Sequence, residues 1–151
     1  MALAREHRKK EDYLEKILQI LDHLAAELQT NLTPLPTACR LAAGTSKDDM
    51  AQLFSRLSQQ LDLQIEVNPA GCMKVALAQS QGLPEVVQQR LLTLGDNLGR
   101  YDLEGQLAGI RAVQQLCRRD LEGLIRDRET KLRSYQTLGL CTGAAVAILL
   151  L

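Results

Sequence analysis

The residues that could do chemistry are few and scattered. Four cysteines stand at Cys39, Cys72, Cys117 and Cys141, separated by 33, 45 and 24 residues. There is no C-x-x-C pair, and the two histidines, His7 and His23, are remote in sequence from every cysteine. Zinc and dithiol sites need ligands at short, regular spacings, so this spread reads as small buried hydrophobes and implies neither a metal nor a disulfide framework. Asp96, Asp102 and Glu104 lie close together. A carboxylate pair working as acid and base needs a histidine, a lysine or a metal ligand beside it, and none is near in sequence. Capping and surface roles follow instead. No G-x-x-x-x-G-K-[ST] loop, H-E-x-x-H helix, G-x-S-x-G elbow or kinase motif occurs. The expectation is a protein with no cofactor, no small-molecule substrate and no enzymatic activity.

Length and composition narrow the architecture. At 151 residues the chain has room for one domain with a real core. Leu occurs 30 times, Ala 16 and Gln 14, whereas Val and Ile together occur 12 times and aromatic residues four times. That mix favours helix over a sandwich or barrel. Eighteen basic residues balance eighteen acidic ones, which argues against a nucleic-acid partner, since that needs a basic surplus on one face. A hydrophobic content of 46% is too high for a disordered chain. The charged run Arg5–Asp12 holds no apolar segment and is not a secretory signal.

Periodicity places the elements. Leu14, Ile17, Leu18, Leu21, Leu24, Ala25 and Leu28 draw one stripe at alternating spacings of three and four, predicting an amphipathic helix over 7–29. Asp12 and Lys16 are an i,i+4 pair on its outer face, and His23 falls on its polar flank. Pro34 and Pro36 break that helix, with Thr33 placed to cap a short one running to about Ala43. Ser46, ahead of Asp48 and Asp49, opens a third helix with the stripe Met50, Leu53, Phe54, Leu57 and Leu61. Residues 61–67 alternate apolar and polar, and a loop is preferred there because no partner strand is evident. Asn68 caps a helix beginning at Pro69, Gly82 ends it, and Pro84 opens the next, which buries Val87, Leu91, Leu94 and Leu98. Gly95 and Gly99 interrupt that helix near its end and mark close packing or a cap. Asp102 then caps the longest helix, with the stripe Leu103, Leu107, Ile110, Val113, Cys117, Leu121, Leu124 and Ile125, continuing through Leu132, Tyr135 and Leu138.

The last eighteen residues, 134–151, carry no charge. As a helix they would span about 27 Å, against a hydrocarbon core of about 30 Å. Few of them are polar, and a terminal segment is hard to bury in a soluble protein. The chain therefore divides into a cytosolic helical domain, 1–133, and a C-terminal transmembrane segment, 134–151. Arg126, Arg128, Lys131 and Arg133 flank the segment and orient the bulk of the chain to the cytoplasm. Gly139-x-x-x-Gly143 permits close approach of two membrane helices. A chance pairing of small residues in a Gly/Ala-containing span accounts for the same spacing. The fold class is all-α: a compact bundle of about five to six helices whose long C-terminal helix continues into a membrane segment.

Three features together resemble a known family. Residues 94–107, L-G-D-N-L-G-R-Y-D-L-E-G-Q-L, are similar to the L-G-x-x-L-G-x-x-D-x-E-x-Q signature of the stage III sporulation protein AB family. The T-P-L-P turn at 33–36 and the charged helix running through Tyr135, Leu138 and Gly139 into an apolar terminus resemble it too. The resemblance spans about residues 5 to 151. It implies a helical cytosolic domain like those of type II secretion and type IV pilus platform proteins, in the mother-cell membrane. There it would belong to the assembly joining mother cell and forespore, with a cytosolic ATPase and other membrane proteins as partners. Members of that family open with a membrane helix, whereas this chain opens on charged residues. Asp96, Asp102, Glu104 and Gln106 are the candidate partner-binding residues, and Pro34, Pro36, Gly95 and Gly99 the turn or close-packing ones. The alternative is a tail-anchored helical adaptor, a protein-binding module unrelated to secretion.

Overall fold

A computed structural model describes residues 2–44, 48–63, 68–98 and 102–150. Six helices form among them: α1 (Ala2–Thr30), α2 (Leu35–Ala43), α3 (Asp49–Leu63), α4 (Pro69–Ala78), α5 (Glu85–Leu98) and α6 (Leu103–Leu150). No strand occurs among the described residues. Each helix packs on the next in sequence, and α6 closes the ring against α1. Neighbours run antiparallel. Asp22 meets Gln114 and Glu11 meets Arg128 across α1 and α6. Likewise Ser58, on α3, reaches back to Pro36, on α2.

The stripes read from sequence form the core. Leu14, Ile17, Leu21 and Leu24 are fully buried, and enclosing one such side chain stabilises by roughly 1.5–3 kcal/mol. Met50, Leu53, Phe54 and Leu57 of α3, Val87, Leu91 and Leu94 of α5, and Ile110, Val113 and Cys117 of α6 meet them. Lower down α6 the stripe loosens, and Leu121 and Leu124 are only partly buried. Ser46, Gly99 and Leu151, residues 64–67, and the side chains of Leu132, Tyr135 and Leu138 lie outside the described residues.

Caps set the corners of the ring. Asn68 Oδ1 accepts the Gly71 N–H at 2.8 Å, and Pro69 follows at the first helical position. Asp48 Oδ1 accepts the N–H groups of Met50 and Ala51 at the start of α3. The expected cap at Thr33 is corrected. Pro34 occupies the cap position of α2 with no side-chain hydrogen bond, and the Thr33 hydroxyl donates backwards to Glu27 Oε2 at 3.0 Å. Asn31 donates to the same carboxylate oxygen, and the Thr33 N–H to the Glu27 carbonyl. Glu27 thus turns the chain between α1 and α2. Leu32, just past the end of α1, takes φ 51°, a left-handed conformation that side chains disfavour.

Two glycines let helices approach closely. A Cβ on Gly95 would lie 2.8 Å from Met73 Cβ and 3.3 Å from Ala70 Cα, which brings α5 against α4. A Cβ on Gly109 would lie 2.5 Å from Asn97 Cβ, which brings α6 against α5.

Helix α6 is 48 residues long and continues through residue 133 without a break. Among the described residues no helix is long and apolar enough to cross a membrane, so the expected transmembrane segment finds no support. The physical reason lies in its first turn. The uncharged run within the described residues, 134–150, opens on Ser134, Tyr135, Gln136 and Thr137 and rises only about 25 Å. Its apolar side chains are nonetheless uncovered: Leu140, Ile148, Leu149 and Leu150 are between 73% and 85% exposed.

Gly95→Ala and Gly109→Ala should each destabilise the protein by about 1–3 kcal/mol through overpacking. Gly123→Ala, where a Cβ meets nothing within 4 Å, should stabilise it by about 0.5–1 kcal/mol. Urea unfolding of the three variants checks the contrast in sign. Leu32→Gly should raise stability by about 0.5–1 kcal/mol, since it relieves the positive φ of a side chain that is largely solvent-exposed. A melting curve reads that shift.

Candidate functional site

The alternating directions of the helices give the bundle two unlike ends. At one end lie the α1–α2 turn, the last turn of α3, the cap of α4, the last turn of α5 and the start of α6. Asp96, Asp102 and Glu104 are all exposed there, and Gln106 is half-buried. Asp96 stands in the last turn of α5 and the other three at the start of α6, and these two helices pack closely where Asn97 sits over Gly109, one turn below Gly105. Leu103 is exposed between Asp102 and Glu104, and Leu63 and Leu32 are exposed at the same end. This end of the bundle therefore carries exposed carboxylates and exposed apolar side chains. Asp102 also starts α6, its carbonyl accepting the Gln106 N–H at 3.0 Å. Helix N-termini favour such carboxylates, because unpaired N–H groups give that end partial positive charge.

At the opposite end the titratable groups hold helices to one another. Tyr13 donates its hydroxyl to Asp49 Oδ2 at 3.0 Å. Burial, and then the Asp49 carboxylate, raise its pKa. Lys16 pairs with Asp48 Oδ2 at 2.9 Å, and that hydrogen bond holds its pKa up. The expected attraction of Asp12 along the same helix also raises the Lys16 pKa, but the close ion pair is with Asp48, fixed at the start of α3. Between α5 and α6, Arg90 forks onto Asp120, Nη2 donating to Oδ1 at 3.0 Å and Nε to Oδ2. His23 is exposed, as its position on the polar flank predicts.

The thiols are placed for packing. Cys39, Cys72 and Cys117 are free and buried. Burial pushes Cys39 up to about 12 and Cys117 up to about 11, which removes their nucleophilic form at neutral pH. No group of three or more metal-ligating side chains is gathered among the described residues. At the exposed end of α6, Gly139, Leu140, Gly143 and Ala144 line a shallow apolar groove. A Cβ on either glycine would meet nothing within 4 Å, so neither packs against a helix of this chain.

Sequence reading missed Gly109, the Arg90–Asp120 fork and the Glu27 turn. Gly109 had a signal, a glycine inside a strong helical stripe, which costs helix stability unless a neighbour needs the space. The fork had none, because its partners are 30 residues apart on different helices.

A ring of antiparallel helices, with its charged groups used in caps and cross-helix pairs, defines a helical-bundle protein. The comparisons give its family. The whole chain, residues 1–151, matches the family model of stage III sporulation protein AB. The chain belongs to that family, and its role is in sporulation. A solved structure of stage III sporulation protein AB (SpoIIIAB) is similar with a TM-score of 0.70 and 22% identity. The match covers 81% of this chain and 98% of that one, and it shows a shared fold. No curated protein matches the chain.

In a Cys141→Ser background, the three buried thiols should resist a disulfide reagent in the folded state and react together on denaturation. The same burial sets an alkaline limit. The unfolded thiols ionise near 9.0, while Cys39 and Cys117 in the fold hold their protons to about 12 and about 11. The stability they contribute is therefore complete below pH 9 and is lost as pH rises towards 11–12. Melting temperatures should fall across that window, and a Cys39→Ala/Cys117→Ala variant should show a shallower fall.

Proposed function

We propose that the protein is a non-enzymatic component of a membrane-bound channel or secretion-like complex of sporulation. In this reading the bundle lies on the cytoplasmic, mother-cell side. The apolar end of α6 seats in the cell membrane, and the opposite end of the bundle docks a cytosolic ATPase or another component of the complex. The observation that carries the reading is the polarity of the bundle. The exposed apolar side chains Leu140, Ile148, Leu149 and Leu150 lie at one extreme of α6, and Asp102, Leu103 and Glu104 lie at the other. A protein with one end in lipid offers its far end to partners in solution.

Each candidate residue has a definite part. Asp96, Asp102 and Glu104 supply carboxylates for a basic partner surface, which speeds encounter and fixes orientation. Leu103 supplies an apolar contact between two of them, and Gln106 a hydrogen-bonding amide one turn further on. The T-P-L-P turn, held by Glu27, keeps α1 and α2 at a fixed angle beside this face.

The double variant Asp96→Lys/Glu104→Lys tests the docking surface. Both positions are exposed, so circular dichroism and melting temperature should stay within error of the parent. Affinity for the cytosolic ATPase proposed as partner should drop by about tenfold or more, and sporulation frequency should fall with it. Unaltered binding and unaltered sporulation in a folded variant would remove the docking surface from this face.

A further inference from the structure

The bundle end nearest the exposed apolar turns of α6 carries an excess of cations, although several have contacts within the chain: Arg128 with Glu11, Arg126 with Glu122 at 3.9 Å, and Lys9 over the Tyr13 ring. Across residues 5–12 and 126–133 there are eight Lys and Arg side chains against five Asp and Glu, in a chain whose net charge is zero. The two segments are far apart in sequence, and the fold sets them side by side. Arg128 Nη1 donates to Glu11 Oε2 at 3.3 Å, and Gln114 Nε2 to Asp22 Oδ1 at 2.7 Å. Those two contacts fix an antiparallel register for α1 and α6. One turn towards the start of α1 from Glu11 is Arg8, level with the last charged turn of α6. Arg5 is a further turn on, level with the start of the uncharged run. Lys9 reaches the α4–α5 turn, its Nζ 3.8 Å from where a Cβ on Gly82 would stand. Arg5, Arg8, Lys9, Arg126, Arg128 and Arg133 are all exposed.

We propose that these six side chains form a basic collar for the headgroups of anionic phospholipids, around the point where α6 leaves the bundle. The inference rests on the membrane seating of α6 put forward above and adds the class of lipid that it selects. The chemistry is that of phosphate recognition by guanidinium and ammonium groups at a surface of negative potential. The geometry suits it. The first apolar side chain shown exposed on α6, Leu140, stands two turns beyond Arg133, so when that end of α6 enters the acyl layer the polar turn at 134–137 and the cations behind it stand at headgroup depth. Glu11, the carboxylate most central to the collar, is almost buried and tied to Arg128, so it faces the helix pair and not the lipid. A run of 134–150 that rises about 25 Å gains most from such a collar, because charge attraction then adds to a modest apolar insertion.

The test is partition of the full chain onto vesicles of phosphatidylcholine alone and onto vesicles with about a third phosphatidylglycerol, each at low and high salt. The parent protein should prefer the anionic vesicles by about a hundredfold or more, and salt should erase most of that preference. In the triple variant Arg5→Gln/Arg8→Gln/Arg126→Gln, the preference should fall by about fivefold for each cation removed, while partition onto neutral vesicles stays as in the parent. Equal partition onto both vesicle types, or a full anionic preference in a folded triple variant, would overturn the collar and leave the membrane seating standing. Failure to bind either vesicle type would overturn the seating and the collar together.

Discussion

The antiparallel packing of α1 against α6 is the constraint on which the molecule depends. These are its longest helices, the first and the last, and only their pairing closes the ring. Leu14, Ile17, Leu21 and Leu24 can reach zero exposure because Ile110, Val113 and Cys117 arrive from the far end of the chain to cover them. Remove that seam, and four shorter helices are left with an open apolar face. Two polar contacts, Asp22 with Gln114 and Glu11 with Arg128, set the register. The hydrophobic seam alone would tolerate slippage by a turn, because leucines repeat along both helices. The polar pairs do not.

The inner four helices are tuned by size more than by charge. The α4–α5 and α5–α6 contacts are close because Gly95 and Gly109 face Met73 and Asn97 across them. Around this small-residue packing the Arg90–Asp120 fork closes the outer side of α5 and α6, partly shielded from solvent. A bidentate guanidinium–carboxylate pair of that kind fixes orientation as well as distance.

Much of this was legible in the sequence because it rests on local rules. Spacings of three and four gave the α1 stripe and the core residues of α3 and α5. Asn68 followed by Pro69 gave the start of α4 to the residue. The failures share one cause, which is competition from another element. Thr33 had the chemistry of a cap, but Glu27 claimed its hydroxyl. Lys16 keeps the attraction of Asp12 four residues away, but its close ion pair is with Asp48, which arrives from α3 already fixed by its own capping bonds. Gly109 looked like a cost to its helix because the neighbour that needs it, Asn97, lies across a turn. At the candidate docking face, residue types were readable and grouping was not. Only the antiparallel course of the helices puts Asp96, at the end of α5, and Glu104, at the start of α6, at the same end of the bundle.

Helix α6 has no proline and no break from Leu103 to Leu150, a length of about 72 Å. Its upper part is clamped by α1 and α5, and its lower part is uncovered. It therefore behaves as a lever with its fulcrum inside the bundle. With the fulcrum near mid-length, a tilt of about 10° would carry each tip through roughly 6 Å, about half the width of a helix with its side chains. Mechanical load on either extremity is felt at the opposite one without any change in local secondary structure.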